Sequence, residues 1–152
     1  MGVAAKEGRL AARNIVATIL YGELGLTMTA GPATSPDWPW PDSLDALIAA
    51  PNHHRLLFEN ERVRVLDVLI RPGDFVPVHT HKWPGVIYVQ SASDFIRRDG
   101  QGKIIFDSRA AGLPQIAPVV QWLPPLPPHS VENIGDADIH LFSVELKEPH
   151  AQ

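Results

Sequence analysis

The chain has 152 residues, 45% hydrophobic and 20% charged, which is about one domain with enough apolar material for a core. Thirteen Lys and Arg against 17 Asp and Glu give a net charge of −4, without the basic excess that sequence-independent nucleic-acid binding needs. There are no cysteines, so disulfides, thiolate metal sites, a Cys nucleophile and Fe–S chemistry are excluded, and any metal or catalytic centre must use N or O ligands.

Lys6, Arg9 and Arg13 precede an apolar run at residues 15–26, in the manner of a signal peptide. Glu23 interrupts that run and no small-x-small cleavage site follows it, so the expectation is an N-terminal extension with a short helix over 11–21 and a cytoplasmic protein. Met28 is an alternative start. No run of about 20 apolar residues occurs, and no membrane-spanning helix is expected. Residues 29–41 are punctuated by Pro, Gly, Ser and Thr and read as an extended arm, with Trp38 and Trp40 pinning it down. Asp42 or Ser43 can cap a short amphipathic helix bearing Leu44, Leu47 and Ile48, which Pro51 ends. The division is therefore an extension, arm and helix over 1–50 and a β domain over 51–148.

From residue 56 the pattern changes to short β runs at 56–59, 63–70, 75–79, 86–90, 94–97, 103–107, 119–123, 129–132 and 139–146. Breakers such as Pro72-Gly73, Asp99-Gly100 and Gly135-Asp136 separate them. So many short strands at regular spacing predict an all-β sandwich, jelly roll or small barrel.

Five histidines lie in suggestive places. In a strand His79 and His81 point the same way, roughly 6.6 Å apart, close enough for two imidazoles to lean onto one ion. Pro124 to Pro128 then hold the chain extended before His129. These segments resemble the two motifs of the cupin superfamily. Gly73, His79 and His81 match the first, and Pro124, His129 and Asn133 the second, over a likeness running from about residue 51 to 147. The resemblance implies a cupin-type double-stranded β-helix (jelly-roll) barrel, with the arm and the short helix outside it. It implies a divalent metal on His79, His81 and His129. The family's glutamate ligand falls at Gly85 or Val86, neither of which binds metal, so three histidines are expected, and Gly85→Glu would restore the missing ligand.

Three neutral imidazoles leave the ion its full charge and an extra open position, which suits an anionic chelating substrate. Three-histidine cupins that resemble this arrangement include thiol and diketone-cleaving dioxygenases. That likeness points to Fe2+ first, while nitrogen ligands alone leave Zn2+, Ni2+, Mn2+ and Cu2+ open. The leading expectation is a small-molecule metalloenzyme with dioxygenase-like chemistry on a small anionic or enolisable substrate. The alternative is a non-catalytic small-ligand-binding cupin with a weak or lost metal site. A sugar isomerase or epimerase is disfavoured for want of a basic cluster.

Arg64, Trp83, Tyr88 and Asn133 are the candidate substrate-binding residues, Arg64 as a carboxylate clamp; a turn-forming role competes for Asn133. His53 and His54 precede the first strand and are expected at a surface or interface, since at most one of two neighbours can face a site. Arg97-Arg98 reads as a solvated charge pair. Expected partners are a small molecule and a second copy in a homodimer, with no nucleic acid and no membrane.

Overall fold

The computed structural model describes residues 38–147; the predicted 11–21 helix and most of the arm lie outside them. Trp38 and Trp40 pack edge to face with ring centroids 4.7 Å apart. A 3-10 turn at Asp42–Leu44 leads into one helical turn, α1 (Ala46–Ala49), whose N-cap is Asp45, its side chain accepting from the Leu47 N–H.

Nine strands follow: β1 (His54–Glu59), β2 (Val63–Ile70), β3 (Phe75–His81), β4 (Gly85–Ser91), β5 (Phe95–Asp99), β6 (Ile104–Asp107), β7 (Val119–Leu123), β8 (Leu126–Asn133) and β9 (Ile139–Leu146). They form two sheets, β1-β2-β9-β4-β7 and β3-β8-β5-β6. All the pairings are antiparallel. The pairs β2–β9, β3–β8, β4–β7 and β5–β6 nest inside one another, as in a long hairpin rolled up on itself. That is a jelly roll, with β1 added at one edge.

The sequence explains the joints. Pro72-Gly73 turns the chain between β2 and β3, and Gly73 sits at φ +81, where a side chain would strain the backbone. Prolines inside strands fall where they cost no ladder bond. Pro77 lies on β3, an edge strand, at a register shift, and Pro127-Pro128 lie beyond the end of β5's pairing with β8, which stops at His129.

The barrel interior is graded. Along β2 the inner residues run Ile70, Val68, Leu66, Arg64, and along β9 Ile139, Leu141, Ser143, Glu145, paired in that order. In the second sheet Val76 pairs with Val131, and His79 with His129. One end is an apolar plug of Leu66, Val68, Ile70, Val76, Val131 and Ile139, with Ala50 and Leu47 from the helix end packed into it. Leu66 and Val76 are fully buried, and truncating such a side chain to Ala costs about 2–5 kcal/mol for leucine. The other end is polar.

Candidate metal centre

The polar end is built from four histidines. His54 opens β1 and is the one buried residue of that strand. Pairing opposite Val68 puts it on the inner face. His79 and His81 come from β3 and His129 from β8. The ring centroids of His79 lie 4.7 Å from His54, 5.1 Å from His81 and 4.3 Å from His129. His81 is 5.4 Å from His54 and 5.8 Å from His129.

Each ring is anchored by the same atom. Nδ1 of His79 bonds the Pro77 carbonyl at 2.7 Å, and Nδ1 of His129 bonds the Pro127 carbonyl at 2.8 Å. These are matching contacts, from the same Pro-x-His tripeptide on two paired strands. Nδ1 of His54 bonds the Ala50 carbonyl at 3.1 Å, and Nδ1 of His81 bonds the Glu145 carboxylate at 2.7 Å. Carbonyl and carboxylate oxygens only accept, so all four rings donate from Nδ1–H and keep the Nε2 lone pair for something else. An oxygen acceptor behind each ring is how metal-ligating histidines are held.

Ligating atoms of His54, His79 and His81 lie within 4.8 Å of one another. Nitrogens each about 2.1 Å from one ion stand at most about 4.2 Å apart, so this trio needs at most a small contraction. His129 adjoins it through His79. The residues therefore fit a divalent ion.

Protonation fits as well. Burial lowers His54 from 6.5 to about 3, with the neighbouring His81 adding to it. Burial, then His129, His81 and His54, hold His79 well below its usual range; burial, then Arg97 and His81, do the same for His129. These rings are neutral at pH 7, as ligands must be.

Behind His81 runs a buried ionic chain. Glu145 bonds His81 through Oε1 and accepts from Arg64 Nε through Oε2 at 2.7 Å. Arg64 Nη1 donates to both oxygens of Asp45, at 3.0 and 2.8 Å. Burial would raise Glu145, but the hydrogen bond from His81 and the contacts with Arg64 outweigh it and hold the carboxyl below its ordinary value. Asp45 also caps α1, so one carboxylate ties the helix to the histidine cluster.

Several expectations are corrected. His54 is not a surface residue: it is 4% exposed and points at the other rings. Arg64, expected as a carboxylate clamp, is buried with Nε on the protein's own Glu145 and Nη1 on Asp45, which leaves Nη2 buried without a hydrogen-bond partner. Tyr88 is no pocket wall; it lies on the outer face of β4, 42% exposed, while Gly85 and Ile87 face inward. Asn133 does not reach the site either. Its Nδ2 donates to the Ile70 and Ala137 carbonyls and its Oδ1 accepts from Gly135, so it pins the β8–β9 turn at the apolar end, four strand residues from His129. Trp83 meets the site through Arg64, whose Cζ stands 4.8 Å over its ring, with Lys147 Nζ at 5.1 Å. Arg97 and Arg98 part company. Arg98 pairs with Glu132 at 2.8 Å, whereas Arg97 stands opposite buried Val131 and Phe106 on the inner face, its charge acting on His129.

Gly85 is not a vacant ligand position. A Cβ there would lie 2.0 Å from the Val144 carbonyl oxygen and 2.9 Å from the Glu145 Cα, so the strands approach too closely for any side chain. The carboxylate near the histidines comes instead from Glu145, directly across the ladder from Gly85.

No family model matches the chain, and no curated protein does. Solved structures do. A cupin domain from Bordetella pertussis Tohama I is 21% identical, over 62% of this chain and 92% of that one, with a TM-score of 0.49. An RmlC-like cupin family protein with a double-stranded β-helix fold from Methanocaldococcus jannaschii is 12% identical, over 62% and 78%, with a TM-score of 0.46. The polyketide cyclase RemF from Streptomyces resistomycificus is 19% identical, over 64% and 66%, with a TM-score of 0.41. The fold is that of the cupins. The nested strand order and the two histidine-bearing motifs on β3 and β8 carry this, and the activities of those neighbours remain their own. Within the cupin barrel, a three-histidine group compatible with metal binding sits at the polar end.

Proposed function

We propose that this protein is a divalent-metal cupin enzyme acting on a small anionic or enolisable molecule, with dioxygenase-like chemistry. The observation that carries the reading is the common orientation of His54, His79, His81 and His129. Each has its Nδ1–H spent on an oxygen, and three present ligating atoms within 4.8 Å of one another. Imidazole donors suit iron, zinc, copper and nickel, and Fe2+ is the first choice. A bound divalent ion would supply Lewis-acid polarisation or, if redox-active, electron transfer.

The chain's own residues do the rest. Glu145 holds the His81 proton at Nδ1 and so fixes its tautomer. Arg64 and Asp45 hold Glu145. The burial of His54, His79 and His129 keeps these rings neutral.

The test is elemental analysis of protein purified without a His tag. Near-stoichiometric divalent metal is expected, lost in the His79→Ala/His81→Ala variant while circular dichroism still reports a folded barrel. Full metal content in that variant would overturn the ligand assignment. Little metal in the wild type would instead support the second reading, a small-ligand barrel without catalysis, whose basis is the missing glutamate at Gly85. Oxygen uptake with added ferrous iron then separates dioxygenase-like chemistry from other metal-dependent reactions.

A further inference from the structure

We propose, resting on the metal-binding reading above, that the segment 42–50 is a strap that sets the affinity of the metal centre, with Asp45 as its positioning residue. The segment reaches the back of the centre in three places. Its Leu44 carbonyl accepts from Thr80 Oγ1 at 3.2 Å, between His79 and His81, and Asp45 forms a backbone bridge to Thr80. Its Ala50 carbonyl is the acceptor that holds His54 Nδ1–H, at 3.1 Å. Its Asp45 carboxylate takes Arg64 Nη1 on both oxygens, and through Arg64 and Glu145 it bears on His81. Ala46 and Ala50 are buried, so the strap is seated in the molecule. The acceptors behind two of the histidines thus depend on one short segment that precedes the strands.

Asp45 decides which partner Glu145 keeps. A guanidinium and a carboxylate held together frequently make a two-pronged contact, two parallel N–H donors on two oxygens. Glu145 has no such contact. Arg64 gives it Nε alone, at 2.7 Å, and spends Nη1 on Asp45, while Nη2 is buried without a hydrogen-bond partner. Oε1 is thereby left to His81, at 2.7 Å. Without the Asp45 charge, Arg64 loses its hold on Nη1 as well, and unpaired buried donors are costly. The acceptor at hand is the second oxygen of the carboxylate that Arg64 already holds. A two-pronged Arg64–Glu145 pair takes Oε1 from His81, which loosens the ring and lowers its basicity. Strap docking and metal binding are then coupled in both directions: whatever the docked strap adds to metal affinity, bound metal adds to the docking of the strap.

Zn2+ alone, added to the full chain, is the probe, with affinity read by competition against a chelator. Asp45→Asn keeps an oxygen for the Leu47 N–H, and so the helix cap, but removes the charge that holds Arg64. It should weaken Zn2+ binding about 10-fold, the low end for a group behind a ligand. The double variant Asp45→Asn/Glu145→Gln should bind as Glu145→Gln does, because Asp45 acts through that carboxylate; losses that multiply would show an independent structural effect and overturn the positioning role. In the reverse direction, Zn2+ should slow amide hydrogen exchange about 10-fold at Ile48, Ala49 and Ala50, whose N–H groups close the helical turn. That measurement uses the wild type and decides the matter should Asp45→Asn fail to fold. Tight Zn2+ binding by the wild type, with affinity unchanged in folded Asp45→Asn or with exchange in the strap untouched by Zn2+, overturns the strap and leaves the metal reading standing. A wild type without affinity for Zn2+ overturns both.

Discussion

Glu145 shows how much one side chain can carry. Its two oxygens serve different masters, one holding His81 and the other Arg64, and it is 2% exposed. A carboxylate behind a ligating imidazole raises the ring's basicity and fixes its orientation, and losing it typically costs 10–100-fold in metal affinity. Glu145→Gln keeps the shape but removes the charge. It should weaken divalent-metal binding by about that factor, measured by competition against a chelator of known affinity. The His81 partnership was legible only in part. Alternation along β9 places Glu145 in phase with Ile139 and Leu141, which marks a polar residue on an inner face, but nothing local says which ring it meets. His54 is harder still. Its sequence neighbourhood offers one clue, that only one of His53 and His54 can face inward; the choice depends on β1 pairing with β2 in a register that sets His54 opposite Val68.

At the level of elements, β4 and β9 lie unusually close at Gly85. The clash of a Cβ with the Val144 carbonyl means that the glycine is a packing requirement, and the absence of a glutamate there follows from it. Gly85→Ala should therefore destabilise the barrel toward the upper end of the about 1–3 kcal/mol usual for overpacking, read as a lower urea midpoint. Gly85→Glu should fail to tighten metal binding for the same reason. The strands themselves were plain in the sequence: 63–70, 119–123 and 139–146 have the observed bounds, because alternating Val, Ile and Leu between breakers leaves the backbone little alternative. The start of β8 was not. It begins at Leu126, two prolines earlier than the local pattern suggests, because only β3 lies alongside there and β5 demands no N–H.

For the whole molecule, the cost of gathering histidines in one buried end appears as a dependence on pH. His54 titrates normally when unfolded but at about 3 when folded, so between these values the unfolded chain binds more protons. Stability therefore rises with pH across that window and falls on acidification. His54 alone should cost about 2 kcal/mol between pH 6.5 and 4.5. His79 and His129, shifted in the same direction, add to it. Glu145 is lowered and adds its loss only at still lower pH, below the ordinary carboxylate value. Urea melts of metal-free protein should show the midpoint dropping steadily from neutral pH toward pH 4.5, and a flat profile would mean that the rings are solvated. Excess divalent metal should flatten the upper part of the curve, since an occupied Nε2 takes no proton.

The sequence by itself determined the strands, the breaks between them and the pairing of two Pro-x-His segments, because alternation, proline and glycine act within a few residues. It also determined that any centre would be built from nitrogen and oxygen. Only the tertiary structure decided that His54 joins the cluster, that Arg64 meets Glu145 and Asp45, and that Gly85 leaves no room for a ligand. Those outcomes depend on registers between strands that are distant in the chain, and a one-residue slip in any of them would turn each of these side chains to the opposite face.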